Sequence, residues 1–274
     1  MPAKSKLGQN FLHDDAAIRR IVAALGDCAQ STVVEIGPGR GAVTRVLVPA
    51  AASVVAVELD PELVEHLRAE FPSGKVTVVH RDVLAFDFAA SAAEAGHRLA
   101  VVGNLPYYIT SPILLRLAES HAALDRAVLM MQREVADRVA AAPGSRDYGL
   151  LSVTVQMYGP VERLFTLPPE AFSPPPEVHS SVIRWRFAPR FAELGVEEAS
   201  FLDMVRKVFA QKRKTLSNNL RAAGLESNTV ATALDLAGID AQARAEALSL
   251  VEFADLWKAL RTTIHAPVAP HPAH

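Results

Sequence analysis

Between Ser31 and Met131 the chain alternates short, β-branched apolar runs with segments of helical spacing. Thr32–Ile36, Val54–Val57, Lys75–Val79, Leu99–Val102 and Ala127–Met131 are short runs rich in β-branched residues. Thr32–Ile36 reads as a buried strand, and the other runs as further strands. Val43–Ala50, the stretch opened by Asp60-Pro61, and Pro112–Ser120 lie between them and have helical character. Asp60 can cap a helix, and Pro61 suits a first helical position, where the missing N–H has no partner to lose. Strands joined through helices must run parallel. The pattern predicts a doubly wound, Rossmann-like α/β sheet.

Further along, Tyr148–Tyr158 fits either a helix or a strand on propensity. Thr166–Pro176 holds five prolines and is expected to be an irregular loop. Val182–Phe187 is the last strand-like run. From about Glu197 the pattern is helical throughout, over Phe201–Ala223, Asn228–Ala237 and Phe253–Arg261, with Gly224 and Gly238 where helices should stop. The expected organisation is a sheet domain over residues 1–195, a helical C-terminal domain over 196–265, and a Pro/Ala-rich tail, 266–274, without order.

Half of the residues are apolar, enough for a sizeable core, and the formal net charge is −2. Any nucleic-acid surface must therefore be local. One cysteine, Cys28, excludes an intrachain disulfide and suits a reducing cytoplasm. The first ten residues lack the apolar run of a signal peptide. The most apolar stretch, Val46–Val57, is too short to span a bilayer and contains Pro49, so no membrane association is expected. The nine histidines are scattered, and no metal site is expected.

Glu35-Ile-Gly37-Pro-Gly39-Arg-Gly41-Ala42 follows the first strand and opens a helix. Glycines there let the backbone turn sharply and approach a ligand closely. Glu58 ends the second strand and Asp82 follows the third. Ligands of open α/β sheets bind at these carboxyl ends, and an acid at the second strand can accept from both hydroxyls of a ribose. The loop alone does not name the ligand, since Gly37, Gly39 and Ala42 also fit a nicotinamide-dinucleotide fingerprint.

The residues after the fourth strand discriminate. Asn104-Leu105-Pro106-Tyr107 offers a side-chain carbonyl from Asn104 and a backbone carbonyl from Leu105, in a loop stiffened by Pro106. The exocyclic amine of adenine is a poor nucleophile, because its lone pair is delocalised into the ring. Two fixed acceptors would orient that amine and stabilise the positive charge it gains when it attacks a methyl sulfonium. Tyr107 offers a face for stacking, commonly worth about 1–3 kcal/mol per base. Phe172, in Phe172-Ser-Pro-Pro-Pro176, is expected to present a second ring, so that an extruded base sits between Phe172 and Tyr107. Nothing in this loop suits hydride transfer.

Lys6-Leu-Gly-Gln-Asn10-Phe-Leu12, Glu35-Ile-Gly-Pro-Gly39, Gly103-Asn-Leu-Pro-Tyr107, Phe172-x-Pro-x-Pro-x-Val178-x-Ser180 and Phe209-Ala-Gln-Lys-Arg-Lys-Thr215 occur in that order. Together they resemble the ribosomal RNA adenine dimethyltransferases, over Lys4 to about Leu260, and most of all the bacterial small-subunit branch. The resemblance implies S-adenosylmethionine as methyl donor. It implies dimethylation of two adjacent adenosines in the 3′-terminal hairpin of 16S rRNA, within the pre-mature small ribosomal subunit; a monomer is expected. It also implies that Asn10 and Leu12 line the methionine side of the cofactor, that Gly37 and Gly39 contact it, that Glu58 holds its ribose and Asp82 its adenine, and that Asn104 lies between cofactor and target base. Tyr148–Tyr158 becomes a helix on the same ground. Two positions depart from the family pattern by losing positive charge: Glu177, where lysine is frequent, and Leu150, where arginine is common.

Phe201–Arg221 carries Arg206, Lys207, Lys212, Arg213, Lys214 and Arg221 against Asp203 alone, a local charge of +5, whereas residues 222–274 sum to −3. A basic stretch in a near-neutral chain suits phosphate contacts. Other readings are a 23S rRNA adenine methyltransferase of the macrolide-resistance branch, an assembly factor acting mainly by binding, and a DNA adenine methyltransferase with a related Pro-Tyr loop.

Overall fold

The computed structural model describes residues 10–72 and 74–265. The expected tail and the Lys6–Gln9 part of the first motif lie outside them. The described residues form two compact units: one comprises the chain up to Ala140 together with Tyr158–Ala188, the other Ala141–Met157 together with the chain from Pro189.

In the first unit, β1 (Phe11–Leu12) leads into α1 (Asp15–Ala24), whose first amides are capped by the Asp14 carboxylate. There follow β2 (Thr32–Ile36), α2 (Ala42–Ala50), β3 (Ser53–Glu58), α3 (Pro61–Glu70), β4 (Val76–His80), α4 (Phe88–Ala95), β5 (Leu99–Asn104), α5 (Thr110–Glu119), β6 (Leu124–Gln132) and α6 (Arg133–Val139). After an excursion into the second unit come β7 (Val161–Leu167), β8 (Phe172–Ser173) and β9 (Ser180–Arg186). The seven-stranded sheet has the order β4-β3-β2-β5-β6-β9-β7. Strands β2 to β6 pair in parallel, and β9 pairs antiparallel with both β6 and β7. β2 is buried along its whole length, as its unbroken apolar run requires. The strand order reverses between β2 and β5, which is where such sheets bind ligands. The antiparallel β9/β7 edge separates this sheet from a wholly parallel dinucleotide fold.

Two elements differ from the sequence expectation. Val161–Leu167 is a strand, and the proline-rich stretch holds a short 3-10 turn and β8, which pairs antiparallel with β1. Leu12 faces Phe172 across that pairing. β7 carries Glu162 and Arg163, both exposed, so its pattern is that of an edge strand rather than of a buried one.

The second unit contains α7 (Leu150–Met157), α8 (Phe191–Leu194), α9 (Glu198–Val208), α10 (Leu216–Ala222), α11 (Ser227–Leu236) and α12 (Leu250–His265). The chain enters this unit twice, whereas a single boundary near residue 195 was expected. The helix expected over Phe201–Ala223 is two helices. Asn219, 2% exposed, explains the break. Its side-chain amide donates to the carbonyls of Val208 (2.8 Å) and Gln211 (3.2 Å), and its oxygen accepts from the Gln211 amide (3.1 Å). Those bonds satisfy the backbone groups that an interrupted helix leaves without partners.

Candidate active site

At the carboxyl ends of β2, β3, β4 and β5 lies a cleft of about 470 Å³. Its lining includes Asn10, Leu12, Gly37, Gly39, Glu58, Asp82, Asn104, Leu105, Pro106 and Tyr107. The structure thus brings together every cofactor residue expected from sequence, and the whole Asn104–Tyr107 loop. All of these belong to the first unit.

The cleft floor is the glycine loop. Gly39 has φ +57°, and a Cβ there would meet the Phe11 ring at 3.0 Å, so any side chain would be both strained and crowded. The loop is pinned from β3. Glu58, 4% exposed, accepts from the Gly39 amide through one oxygen (3.1 Å), and from the Leu59 and Asp60 amides through the other (2.9 and 3.0 Å). Gly41 opens α2 without a side-chain cap. Asp82 is exposed and caps the 3-10 turn Val83–Ala85 through the Leu84 amide (2.9 Å). The donor set fits a cationic nucleoside cofactor. Buried Glu58 supplies negative potential, and Glu58 and Asp82 stand at the carboxyl ends of two adjacent strands, where a ribose and an adenine amine would lie.

Glu35 precedes the glycine loop, and its sequence position alone gives it no role. It is 3% exposed, lines the cleft, and accepts a 2.6 Å hydrogen bond from Thr44 Oγ1 on α2. Burial pushes its carboxyl from 4.5 up to about 7; the Thr44 bond opposes this shift, and the charge of Glu58 adds to it. The folded protein therefore keeps a proton that the unfolded chain loses above pH 4.5. Stability from this group is expected to fall as pH rises from 4.5 to about 7 and to change no further above that. The loss should be on the order of 1–3 kcal/mol. Urea unfolding of the wild type and Glu35→Gln at intervals across that range should show a more negative slope of stability against pH in the wild type; parallel profiles would contradict the assignment.

Asn104 ends β5. Its Nδ2 donates to the Asn10 backbone carbonyl at 2.9 Å, which commits the amino half of the side chain and leaves Oδ1 as the acceptor. The Leu105 amide is bound to the Met130 carbonyl (2.9 Å), so the backbone that follows Asn104 is fixed to β6. The Pro106 carbonyl accepts from Thr110 Oγ1 (3.0 Å), which ties the loop to α5. Tyr107 is half-buried. Burial raises its phenol pKa, against the opposing hydrogen bond with Ser180.

Phe172 does not join this cleft wall. Its ring is 2% exposed and packs in the core with Leu12, Ile18, Ile21 and Val182. The proline-rich sequence suggested a presented ring, but the β1–β8 pairing turns Phe172 inward and leaves Ser173 at the cleft. Of the basic residues, Arg206 and Lys207 lie in the last turn of α9, Lys212, Arg213 and Lys214 in the α9–α10 loop, and Arg221 in the last turn of α10. All six are exposed. Lys207 pairs with Asp203 at 2.8 Å.

The ribosomal RNA adenine dimethylase family model matches residues 2–262. The chain belongs to that family. As a member it is an S-adenosylmethionine-dependent rRNA adenine methyltransferase. A ribosomal RNA small subunit methyltransferase A of Acidobacterium capsulatum is 57% identical over 258 residues, covering 94% of this chain and 91% of that protein. The protein of the same name from Koribacter versatilis is 47% identical over 270 residues, covering 94% of each. Among solved structures, a dimethyladenosine transferase from Plasmodium falciparum superposes with a TM-score of 0.80 at 20% identity, over 92% of this chain and 98% of that one, and so supports the fold alone. The 23S rRNA methyltransferase ErmE superposes with a TM-score of 0.70 at 27% identity, over 92% and 100%. The methyltransferase form of the sheet, which sequence reading expected, is therefore present, and the nicotinamide reading falls away. Among the described residues no helix is long and apolar enough to cross a membrane, and no group of three or more His, Cys, Asp or Glu could hold a metal ion.

Proposed function

We propose that this enzyme dimethylates the N6 amines of two adjacent adenosines in the 3′-terminal hairpin of 16S rRNA, within the pre-mature small subunit, as a cytoplasmic monomer that needs no metal. The observation that carries this reading is the Asn104 side chain, whose amino group is engaged by Asn10 while its carbonyl remains to accept from an amine. The names of relatives at 57% and 47% identity favour the small subunit over the 23S alternative.

S-adenosylmethionine, when bound, supplies an electrophilic methyl on a positively charged sulfur. Glu58 would hold its ribose, Asp82 its adenine amine, the backbone of Gly37 and Gly39 its chain, and Asn10 and Leu12 its methionine end. Asn104 Oδ1 and the Leu105 carbonyl would accept from the target N6, aim its lone pair, and stabilise the charge that develops on nitrogen. Tyr107 would wall the base. None of Asn104, Leu105 or Pro106 offers a base, so this loop does not itself take up the proton released from N6.

RNA phosphate contacts are assigned to the basic residues of the second unit. Replacing Lys212, Arg213 and Lys214 with alanine is expected to weaken RNA binding and to reduce the slope of log affinity against log salt by up to roughly three counterions. Cofactor affinity should not change. A wild-type salt slope would remove the loop from the interface. For the function itself, unmethylated 30S and 50S subunits should be incubated with radiolabelled S-adenosylmethionine. Label is expected in 16S rRNA; label in 23S rRNA would select the other branch.

A further inference from the structure

The Tyr107 hydroxyl and Ser180 Oγ are 2.6 Å apart, although 73 positions separate them in the chain. Ser180 is 0% exposed and begins β9. Its backbone is held from both sides, opposite Gln132 of β6 and Leu167 of β7. The preceding residue is tied as well, since the His179 carbonyl accepts from the Arg133 amide at 3.0 Å. The Ser180 backbone is therefore fixed on both sides, and its hydroxyl projects from that fixed strand into a buried position. Tyr107, by contrast, starts a short 3-10 turn, Tyr107–Ile109, that lies on the cleft rim. Tyr108, the next residue, is 63% exposed, so the turn itself does little to bury its rings.

We infer that Ser180 is a positioning residue for methyl transfer: it clamps the Tyr107 phenol to the start of β9, inside the sheet, and so fixes the ring that walls the target-base pocket. The inference rests on the function proposed above and deepens it. A ring anchored only at Cα samples several rotamers, and each must be frozen when a base stacks on it. A ring also anchored at its hydroxyl has already lost that freedom, so its position is set before RNA arrives. The clamp matters twice in each target, because the pocket must hold adenosine for the first transfer and N6-methyladenosine for the second.

The test is a double-mutant cycle with Ser180→Ala and Tyr107→Phe, read by single-turnover methylation of unmethylated small subunits at saturating S-adenosylmethionine. Each single change should slow transfer by roughly three- to tenfold, the scale set by one lost hydrogen bond. The double variant should be no slower than the slower single one. Released RNA should carry more monomethyladenosine than wild-type product does. Cofactor affinity by calorimetry should stay unchanged. A purely structural serine would lower the melting temperature without altering the product ratio. Full-rate transfer by Ser180→Ala, or costs that multiply in the double variant, would overturn the clamp. If Ser180→Ala does not fold, Tyr107→Phe decides, since it removes the other half of the bond from a half-buried position; a wild-type rate and product ratio there would equally overturn it. Failure of the wild type itself to methylate small-subunit adenosines would bring down the functional reading, and the clamp with it, whereas a competent wild type beside unaffected variants would bring down the clamp alone.

Discussion

Asn104→Ala is expected to slow methyl transfer by about a hundredfold or more, the scale seen when one preorganised electrostatic partner is lost. The change removes the Oδ1 acceptor and also the 2.9 Å bond to the Asn10 carbonyl. The Leu105 carbonyl would remain, because its amide is independently fixed to Met130. RNA affinity should survive, since phosphate contacts dominate it. Cofactor affinity should fall modestly, because Asn10 loses its tether at the methionine end. Asp at this position keeps an acceptor but cannot donate to Asn10, and it places a carboxylate beside a carbonyl oxygen, so it should recover only part of the rate. Single-turnover assays with saturating cofactor isolate the chemical step. A near-normal rate for Asn104→Ala would show that this carboxamide does not position the amine.

Glu58→Ala should weaken S-adenosylmethionine binding by about 1–3 kcal/mol, roughly five- to 150-fold, as for lost hydrogen bonds to a charged group. The structure gives a second reason beyond lost ribose contacts. The carboxylate receives the amides of Gly39, Leu59 and Asp60, so its removal frees the glycine loop and the approach to α3 together. Glu58→Gln retains one oxygen but turns an amino group towards backbone donors, and should fall between wild type and alanine. Calorimetric titration of the folded variants measures both. Unchanged affinity in Glu58→Ala would take this side chain out of the cofactor site.

The legible parts of this molecule were those that local chemistry writes down. Buried parallel strands announce themselves as β-branched runs, and the Asp60-Pro61 helix start is capped as its residues require. Strand-end acids beside a glycine loop pointed to the cleft before any fold was known. The hidden parts depend on partners far away in the chain. Phe172 looks presentable in a run of prolines, yet its pairing opposite Leu12 buries it. Glu35 reads as the lead-in to a loop, and only burial beside Glu58 makes it a titrating group. The α9–α10 break carries neither proline nor glycine; a buried Asn219 makes it by bonding across the gap. Asn10 entered through family resemblance alone, and its contact with Asn104 spans 94 positions.

In the function proposed here, this cleft delivers two methyl groups to each of two neighbouring adenine amines. Unmethylated small subunits should be incubated with the enzyme and isotopically labelled S-adenosylmethionine, and the 16S rRNA digested and sequenced by mass spectrometry. N6,N6-dimethyladenosine is expected at two adjacent positions of the 3′-terminal hairpin, with all four methyl groups carrying label. Label on another base, on a ribose hydroxyl, or on adenosines outside that hairpin would contradict it.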